Sequence, residues 1–405
     1  MKRRILFVDD EPMVIQGLQR MLRGMRGEWE MTFVQSGAEA LDVLSKKPFD
    51  VIVTDMRMPG MDGADLLNRV MDQYPWIVRI VLSGQSDQKM ILKSALPTHQ
   101  FLSKPCDPDV LKTTVARACA WRDVVANEAV QEAVAKIKSL PALPDKYVEI
   151  TRELESETSS ASNIGRIIAQ DVGMTADILK MVNSSFFGFV RHVSSPEEAV
   201  ALLGIDVVKS LVLTTHLMTA YDCRQVRNFS LQGLWRHCLA TAAMARQIAK
   251  TNVRDQKFFD QAFIAGLLHD VGKLVLAYNL PDKYNLILDQ VRAENRLVWE
   301  VEGQVLGTSH AEVGGYLLGL WGLPDSIVGA VVFHHDPSTS LDEDFTPLTA
   351  VHVADFLEHE LVRINEDYAR PEVDADYLAG LGLIDRLPEW RSLCLEQVQR
   401  GEKNE

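Results

Sequence analysis

Residues 50–63 read DVIVTDMRMPGMDG. A run rich in β-branched residues, 51–54, leads into Asp55, and Pro59, Gly60 and Gly63 follow. Such a run, apolar on both faces, reads as a buried parallel strand, and the proline and glycines force a loop after it. A carboxylate at the carboxyl end of such a strand lies on the rim where open α/β sheets place their ligands. Alone, Asp55 reads equally well as a cap on the next helix. Three more stretches end in the same way. Ile5-Leu6-Phe7-Val8 runs into Asp9, Asp10 and Glu11, residues 77–82 run into Ser83, and Phe101-Leu102-Ser103 runs into Lys104 and Pro105. Carboxylates gathered on one rim repel unless a cation joins them, and hard oxygen ligands suit Mg²⁺. The ion would neutralise charge around an incoming phosphoryl group. Lys104 and the Ser83 hydroxyl would hold its other oxygens. Asp55 would be the nucleophile and form an acyl phosphate.

A second set of chemically capable residues lies far downstream. Of ten histidines, seven fall between 237 and 359: His237, His269, His310, His334, His335, His352 and His359. The sharpest element is LLHDVGK, with His269 and Asp270 adjacent and Lys273 one turn on. Adjacent helical residues point about 100° apart, so this pair can straddle a metal beside the helix. Imidazole with carboxylate suits Mn²⁺, Fe²⁺, Zn²⁺ or Mg²⁺. His237, His269, Asp270, His310, His334, His335 and Asp355 make a ligand set drawn from separate helical segments. Two such cations would make a hydroxide that attacks a phosphate ester. The competing reading of His269-Asp270 is a polar pair that caps and pins neighbouring helices. His99, His192, His216 and His359 read as satisfied core histidines.

The elements that must position these residues fall into two blocks. With 405 residues the chain should hold two or three domains. Strands are expected at roughly 4–8, 31–34, 50–54, 77–82 and 100–103, with helices between them, as at 38–46 and 64–73. This alternation predicts a flavodoxin-like doubly wound sheet. From Asp107 one long helical stretch reaches about Ser139, with Pro108 suited to its first turn. It reads either as a connecting rod or as the last helix of one domain running into the first of the next. Its apolar stripe drifts and sustains no heptad. Pro141 and Pro144 break it. An all-α block follows. Ser195-Pro196-Glu197-Glu198 is a helix start and Gly204 a helix end. Residues 207–218 are apolar nearly all round and should be buried. Helices at 346–361 and about 389–399 close the chain.

Composition bounds the function. The chain is 47% hydrophobic and 24% charged, as a soluble globular protein is. A net charge of −14 argues against general nucleic-acid binding, and no basic helix-turn-helix unit is visible, so direct DNA binding is not expected. Neither a signal peptide nor a run of ~20 apolar residues is found, so no membrane association is expected. The five cysteines are scattered without a CxxC, which fits free thiols in a reducing cytoplasm.

The motifs FVDDEP, VTDMRMPGMDG, VLSG and FLSKP, in that order, resemble the receiver domain of two-component response regulators over roughly residues 3–120. The resemblance implies that Asp55 is the phosphoacceptor, supplied by a cognate histidine kinase or phosphotransfer protein. It implies that Asp9, Asp10 and Asp55, with the main-chain carbonyl of Arg57, hold Mg²⁺. Ser83, Lys104 and the aromatic Phe101 would form the switch. Residues 139–336 resemble the HDOD domain, a relative of the HD phosphohydrolases, through SLPALP, DVGMTADILKMVNSSFFG, VSSPEEAVALLGID, LLHDVGK and HAEVGGYLLGLWGLP followed by His334-His335. HDOD domains are mostly regarded as regulatory or protein-interaction modules. Related HD-GYP enzymes hydrolyse cyclic di-GMP, and their ligands map onto the seven residues above, with Lys273 nearby. Two departures weaken that likeness. DPSTS follows His335 in place of a loop ending in Gly-Tyr-Pro, and Gly233 stands one turn before His237, where those enzymes can use a metal-bridging glutamate.

The resulting expectation is a multidomain chain: a receiver at 3–120, a connecting helix at 121–138, an HDOD domain at 139–336 and a helical extension at 337–405 packing on it. Phosphorylation of Asp55 would regulate an HDOD output that acts mainly on a partner protein, with homodimerisation through the connecting helix open. The alternative is a receiver-gated, metal-dependent phosphohydrolase acting on cyclic di-GMP or another nucleotide.

Overall fold

A computed structural model describes residues 2–74, 77–83, 98–104, 106–124, 145–156, 159–184, 187, 192–221, 223–340, 342–362 and 369–402. The chain divides into two compact units, one built on a sheet and one helical. Among the described residues no single helix is long and apolar enough to cross a membrane.

The sheet has strands β1 Arg3–Val8, β2 Trp29–Val34, β3 Val51–Asp55, β4 Val78–Ser83 and β5 Gln100–Ser103, all parallel, in the order β2-β1-β3-β4-β5. Strands with covered faces must be apolar on both, and Ile5, Leu6, Phe7, Val51 and Ile52 are fully buried. The order reverses between β1 and β3, the switch point where such sheets bind ligands. Val8 pairs with Thr54 there, so Asp9 and Asp55 leave neighbouring strands side by side. Helices Pro12–Met21, Gly37–Lys46, Gly63–Gln73 and Pro108–Val124 belong to this unit. Gly63 lets its helix start against the strand end, since a Cβ there would meet the Asp55 carbonyl oxygen at 2.2 Å. The connection from β4 to β5 lies outside the described residues, as do the side chains of Ser83 and Phe101. The connecting helix read at 121–138 is described only as far as Val124.

From Asp145 onward the described residues form helices joined by turns, as the sequence predicts. Ser195 caps the Pro196–Leu203 helix by accepting from the Glu198 amide at 3.2 Å, and Gly204, at φ 85°, ends it. The Ile205–Ala220 helix is buried along most of its length. Helices Leu231–Asn252, Gln256–Leu268 and Pro347–Leu361 pack against one another at the centre. Their close approach depends on small residues: a Cβ on Gly266 would meet Ala242 Cα at 2.8 Å. The C-terminal helices Ala375–Gly380 and Leu387–Glu402 are held by buried Tyr377, Leu378, Trp390 and Cys394. Two histidines depart from the core reading. His192 is exposed, and His359 is 37% exposed at the edge of the cluster described below. Burial is set by what packs opposite, which the residues around a histidine in sequence do not reveal.

Candidate functional site

In the sheet unit, Lys104 joins the two acids at the switch point. Its Nζ donates to Asp9 Oδ2 at 2.8 Å and pairs with Asp55 Oδ1. Asp55 Oδ2 accepts from the Arg57 amide at 3.0 Å, and Asp9 Oδ1 accepts from the Glu11 amide at 3.0 Å. Both acids are nearly buried. Burial alone would lower the Lys104 pKa, but its bonds to Asp55 and Asp9 outweigh that and raise it. Asp10 and Arg57 line an adjoining open cleft with Met58, Pro59, Asp62 and Asp65. The donors at this rim are oxygens alone, the set that Mg²⁺ takes.

The seven predicted residues of the helical unit converge. His237 comes from the Leu231–Asn252 helix, and His269-Asp270 from the turn between Gln256–Leu268 and Val271–Asn279. His310 opens the His310–Leu320 helix, His334 and His335 follow Asp325–Phe333, and Asp355 lies on Pro347–Leu361. Among the described residues, ligand atoms mutually within 4.8 Å form three groups: Asp270, His310, His334 and His335; His237, His269 and Asp355; and His237, Glu358 and His359. The sheet-unit acids form no such group among the described residues, and Lys104 sits between Asp9 and Asp55 instead.

The hydrogen bonds set the ring orientations. His269 Nδ1 donates to the Gly266 carbonyl and His334 Nδ1 to that of Val331, each at 2.7 Å. His237 Nδ1 donates to Glu358 Oε2 and His310 Nδ1 to Glu302 Oε2, each at 2.6 Å. All four Nε2 atoms therefore face the cluster. A histidine held through Nδ1 with Nε2 turned inward is the arrangement that a metal ligand needs. Asp270 bridges the two inner groups: Oδ1 lies 3.1 Å from His310 Nε2, and Oδ2 lies 3.5 Å from His237 Nε2 and 3.6 Å from His269 Nε2. Asp355 Oδ1 lies 3.2 Å from His237 Nε2. Lys273 Nζ donates to Asp270 Oδ2 at 2.6 Å.

Several inward atoms are buried without a hydrogen bond: Asp270 Oδ1, His334 Nε2, Asp355 Oδ1 and Glu358 Oε1. Buried polar atoms are normally satisfied, and here the orphans are the atoms that a cation would take. The donor set fits a pair of divalent cations. Electrostatics agree with the geometry. Burial disfavours charge on Asp270 and Asp355. Lys273, His269 and His310 nonetheless hold Asp270 well below the usual carboxylate range, and His359, His237 and His269 do the same for Asp355. Burial and neighbouring imidazoles push His334 and His335 well down, so both rings are neutral ligands.

A cleft of about 220 Å³ opens onto this cluster. His237, Asp270, Lys273, His335, Glu358 and His359 line its floor, and Phe229, Tyr284, Trp299 and Arg370 its walls. Trp299 lies flat on His335, with centroids 3.6 Å apart and planes 13° apart.

Glu302 and Glu358 were not singled out by the sequence, and His359 was read there as a core histidine. Glu302 is fully buried and takes both the His310 amide, at 2.7 Å, and its ring. Glu358 had a readable signal, since it sits one turn after Asp355 and so shares its face of the helix.

Comparison with known proteins assigns both units. The response regulator receiver domain family matches residues 5–116, and the HDOD domain family matches residues 140–337. The chain carries a receiver domain and an HDOD domain. The hydrogenase transcriptional regulatory protein HoxA of Cupriavidus necator is 38% identical over 116 residues, 28% of this receiver–HDOD chain and 23% of its own length. An uncharacterised protein of Treponema pallidum is 30% identical over 214 residues, 53% of this chain and 40% of the relative. The chain thus spans 40% or less of the length of these two relatives. A crystal structure of an HDOD domain protein from Geobacter sulfurreducens shares the fold, with a TM-score of 0.54 at 23% identity over 68% of this chain and 94% of that one. Residues 5–116 thus belong to the receiver domain family of response regulators, and residues 140–337 to the HDOD domain family.

Proposed function

We propose that Asp55 accepts a phosphoryl group from a histidine kinase or phosphotransfer protein and that its new charge changes what the HDOD unit binds, a partner protein above all. The observation that supports this most directly is the Lys104 ammonium between Asp9 and Asp55. A group that holds both acids can follow a phosphoryl group placed on one of them. Mg²⁺, held by Asp9, Asp10, Asp55 and the Arg57 carbonyl, would screen charge during transfer. A coupling of roughly 1–3 kcal/mol would change partner affinity about 5–150-fold. The test is labelling by acetyl phosphate in Mg²⁺, with partner capture by the full chain in the presence and absence of beryllofluoride. Labelling that persists in Asp55→Asn would refute the placement, and capture indifferent to beryllofluoride would refute the coupling.

The orphaned inward atoms of the HDOD cluster support a second reading, a metal-dependent phosphohydrolase under receiver control. Divalent cations bound there would supply an activated water and polarise a phosphoryl oxygen. The chain's own part is to fix four imidazoles through Nδ1, to keep the cluster dry and to offer Lys273 to substrate phosphate in the cleft. Metal analysis decides it. Stoichiometric Mn, Fe or Zn that is lost in His269→Ala, together with turnover of cyclic di-GMP or another phosphodiester, is expected. Metal-free protein without turnover removes the reading.

A further inference from the structure

The HDOD cluster lacks the carboxylate that a glutamate one turn before His237 would supply. Gly233 stands there, its amide donating to Ser230 Oγ at 3.0 Å in the first turn of the Leu231–Asn252 helix. Glu358, on the Pro347–Leu361 helix, is 1% exposed and lines the same cleft as Gly233 and His237.

The two oxygens of Glu358 differ. Oε2 accepts from His237 Nδ1 at 2.6 Å. Oε1 is buried and accepts nothing. A buried carboxylate oxygen without a donor is costly, and one hydrogen bond on its twin does not explain why the second oxygen is kept dry. Its surroundings fit a cation. His237, Glu358 and His359 form the third group with ligand atoms within 4.8 Å, and Asp355 Oδ1, also without a hydrogen bond, lies 3.3 Å from His359 Nδ1.

We infer that Glu358 supplies the carboxylate that Gly233 cannot, and completes the cation centre on the His237 side. Oε2 fixes the His237 ring so that Nε2 faces inward, and Oε1 is the open ligand atom. The inference rests on the metal-centre reading above. It moves one ligand from the first helix of the set to the last, so that Asp355 and Glu358, three residues apart, serve the same edge of the cluster. His359 lies between that edge and the cleft, where an arriving ion or anion passes it.

The test is Mn²⁺ binding by the full-length protein, followed by titration calorimetry and bound-metal analysis, with metal-free circular dichroism as a folding control. Glu358→Ala removes both oxygens and is expected to weaken Mn²⁺ binding about 10–100-fold, the usual loss for such carboxylate partners. Glu358→Gln still accepts from His237 but carries no charge, and is expected to lose about tenfold. Adding Gly233→Glu to Glu358→Gln is expected to recover most of that loss, which a merely structural role would not allow. Wild-type affinity in Glu358→Gln, with binding abolished in His269→Ala, would overturn the role of Glu358 and leave the metal centre standing. No Mn²⁺ uptake by the wild-type protein would overturn both.

Discussion

The Nε2 atoms of His237 and His269 face each other at 3.0 Å. His269 is held from behind, donating through Nδ1 to the Gly266 carbonyl. His237 has Glu358 on its other nitrogen, and Glu358 and Asp355 favour its charged form in the metal-free protein. His310 repeats the pattern between Glu302 and Asp270. Buried carboxylates thus favour the protonated rings of His237 and His310, in the places where cations would otherwise balance those acids.

The first consequence concerns pH. Burial works against charge on His237, but Glu358 and Asp355 outweigh it and raise its pKa to about 10. A group whose folded pKa exceeds its unfolded value of about 6.5 stabilises the fold fully below that value. The contribution is lost as pH rises through about 10. The urea midpoint of metal-free protein should therefore fall between pH 7 and pH 10 by more in the wild type than in His237→Gln. Mn²⁺ binding at pH 7 should release protons. Calorimetry in buffers of different ionisation enthalpy measures that release.

Gly272, inside LLHDVGK, allows the two halves of the cluster to meet. A Cβ there would sit 1.9 Å from the His310 carbonyl oxygen and 2.9 Å from the Gly314 amide nitrogen. Gly272→Ala should cost about 1–3 kcal/mol of stability through overpacking. It should also push His310 off the Asp270 side, so that Mn²⁺ affinity falls with it. Urea unfolding and metal titration read the two effects separately.

Glu302 holds His310 by its amide and its ring and also accepts from the Tyr284 hydroxyl at 3.1 Å. Glu302→Gln keeps the volume and loses the charge. Metal affinity should drop about tenfold, and the Tyr284 wall of the cleft should loosen. Titration with Mn²⁺ and hydrogen exchange over residues 298–306 report on each.

In the receiver, Lys104→Met would leave Asp9 and Asp55 facing each other without the ammonium. The expected cost is about 1–3 kcal/mol, that of stranding buried polar groups. Mg²⁺ should recover part of it. The check is urea unfolding of full-length protein with and without Mg²⁺. Wild-type stability in Lys104→Met would show that the lysine is idle in the resting state.

The strand tips of the receiver were legible because chemistry sits at one repeated position, the end of an apolar run. Asp9, Asp55 and Lys104 all lie at that position, and the observed register brings Asp9 beside Asp55. The seven HDOD residues were legible because histidine is scarce enough for a cluster in sequence to stand out. Glu302 was not, since glutamates on helices mostly face water and burial depends on the neighbouring helix; Glu358 offered only its spacing from Asp355. His359 misled for the opposite reason: it sits on an apolar helix yet lies at a cleft.

Trp299 rests flat against His335, a member of the inner ligand set. The indole and imidazole cannot shift or polarise independently. The site therefore carries its own optical reporter, and uptake of a spectroscopically silent ion such as Zn²⁺ becomes readable as a change in emission that Trp299→Phe removes.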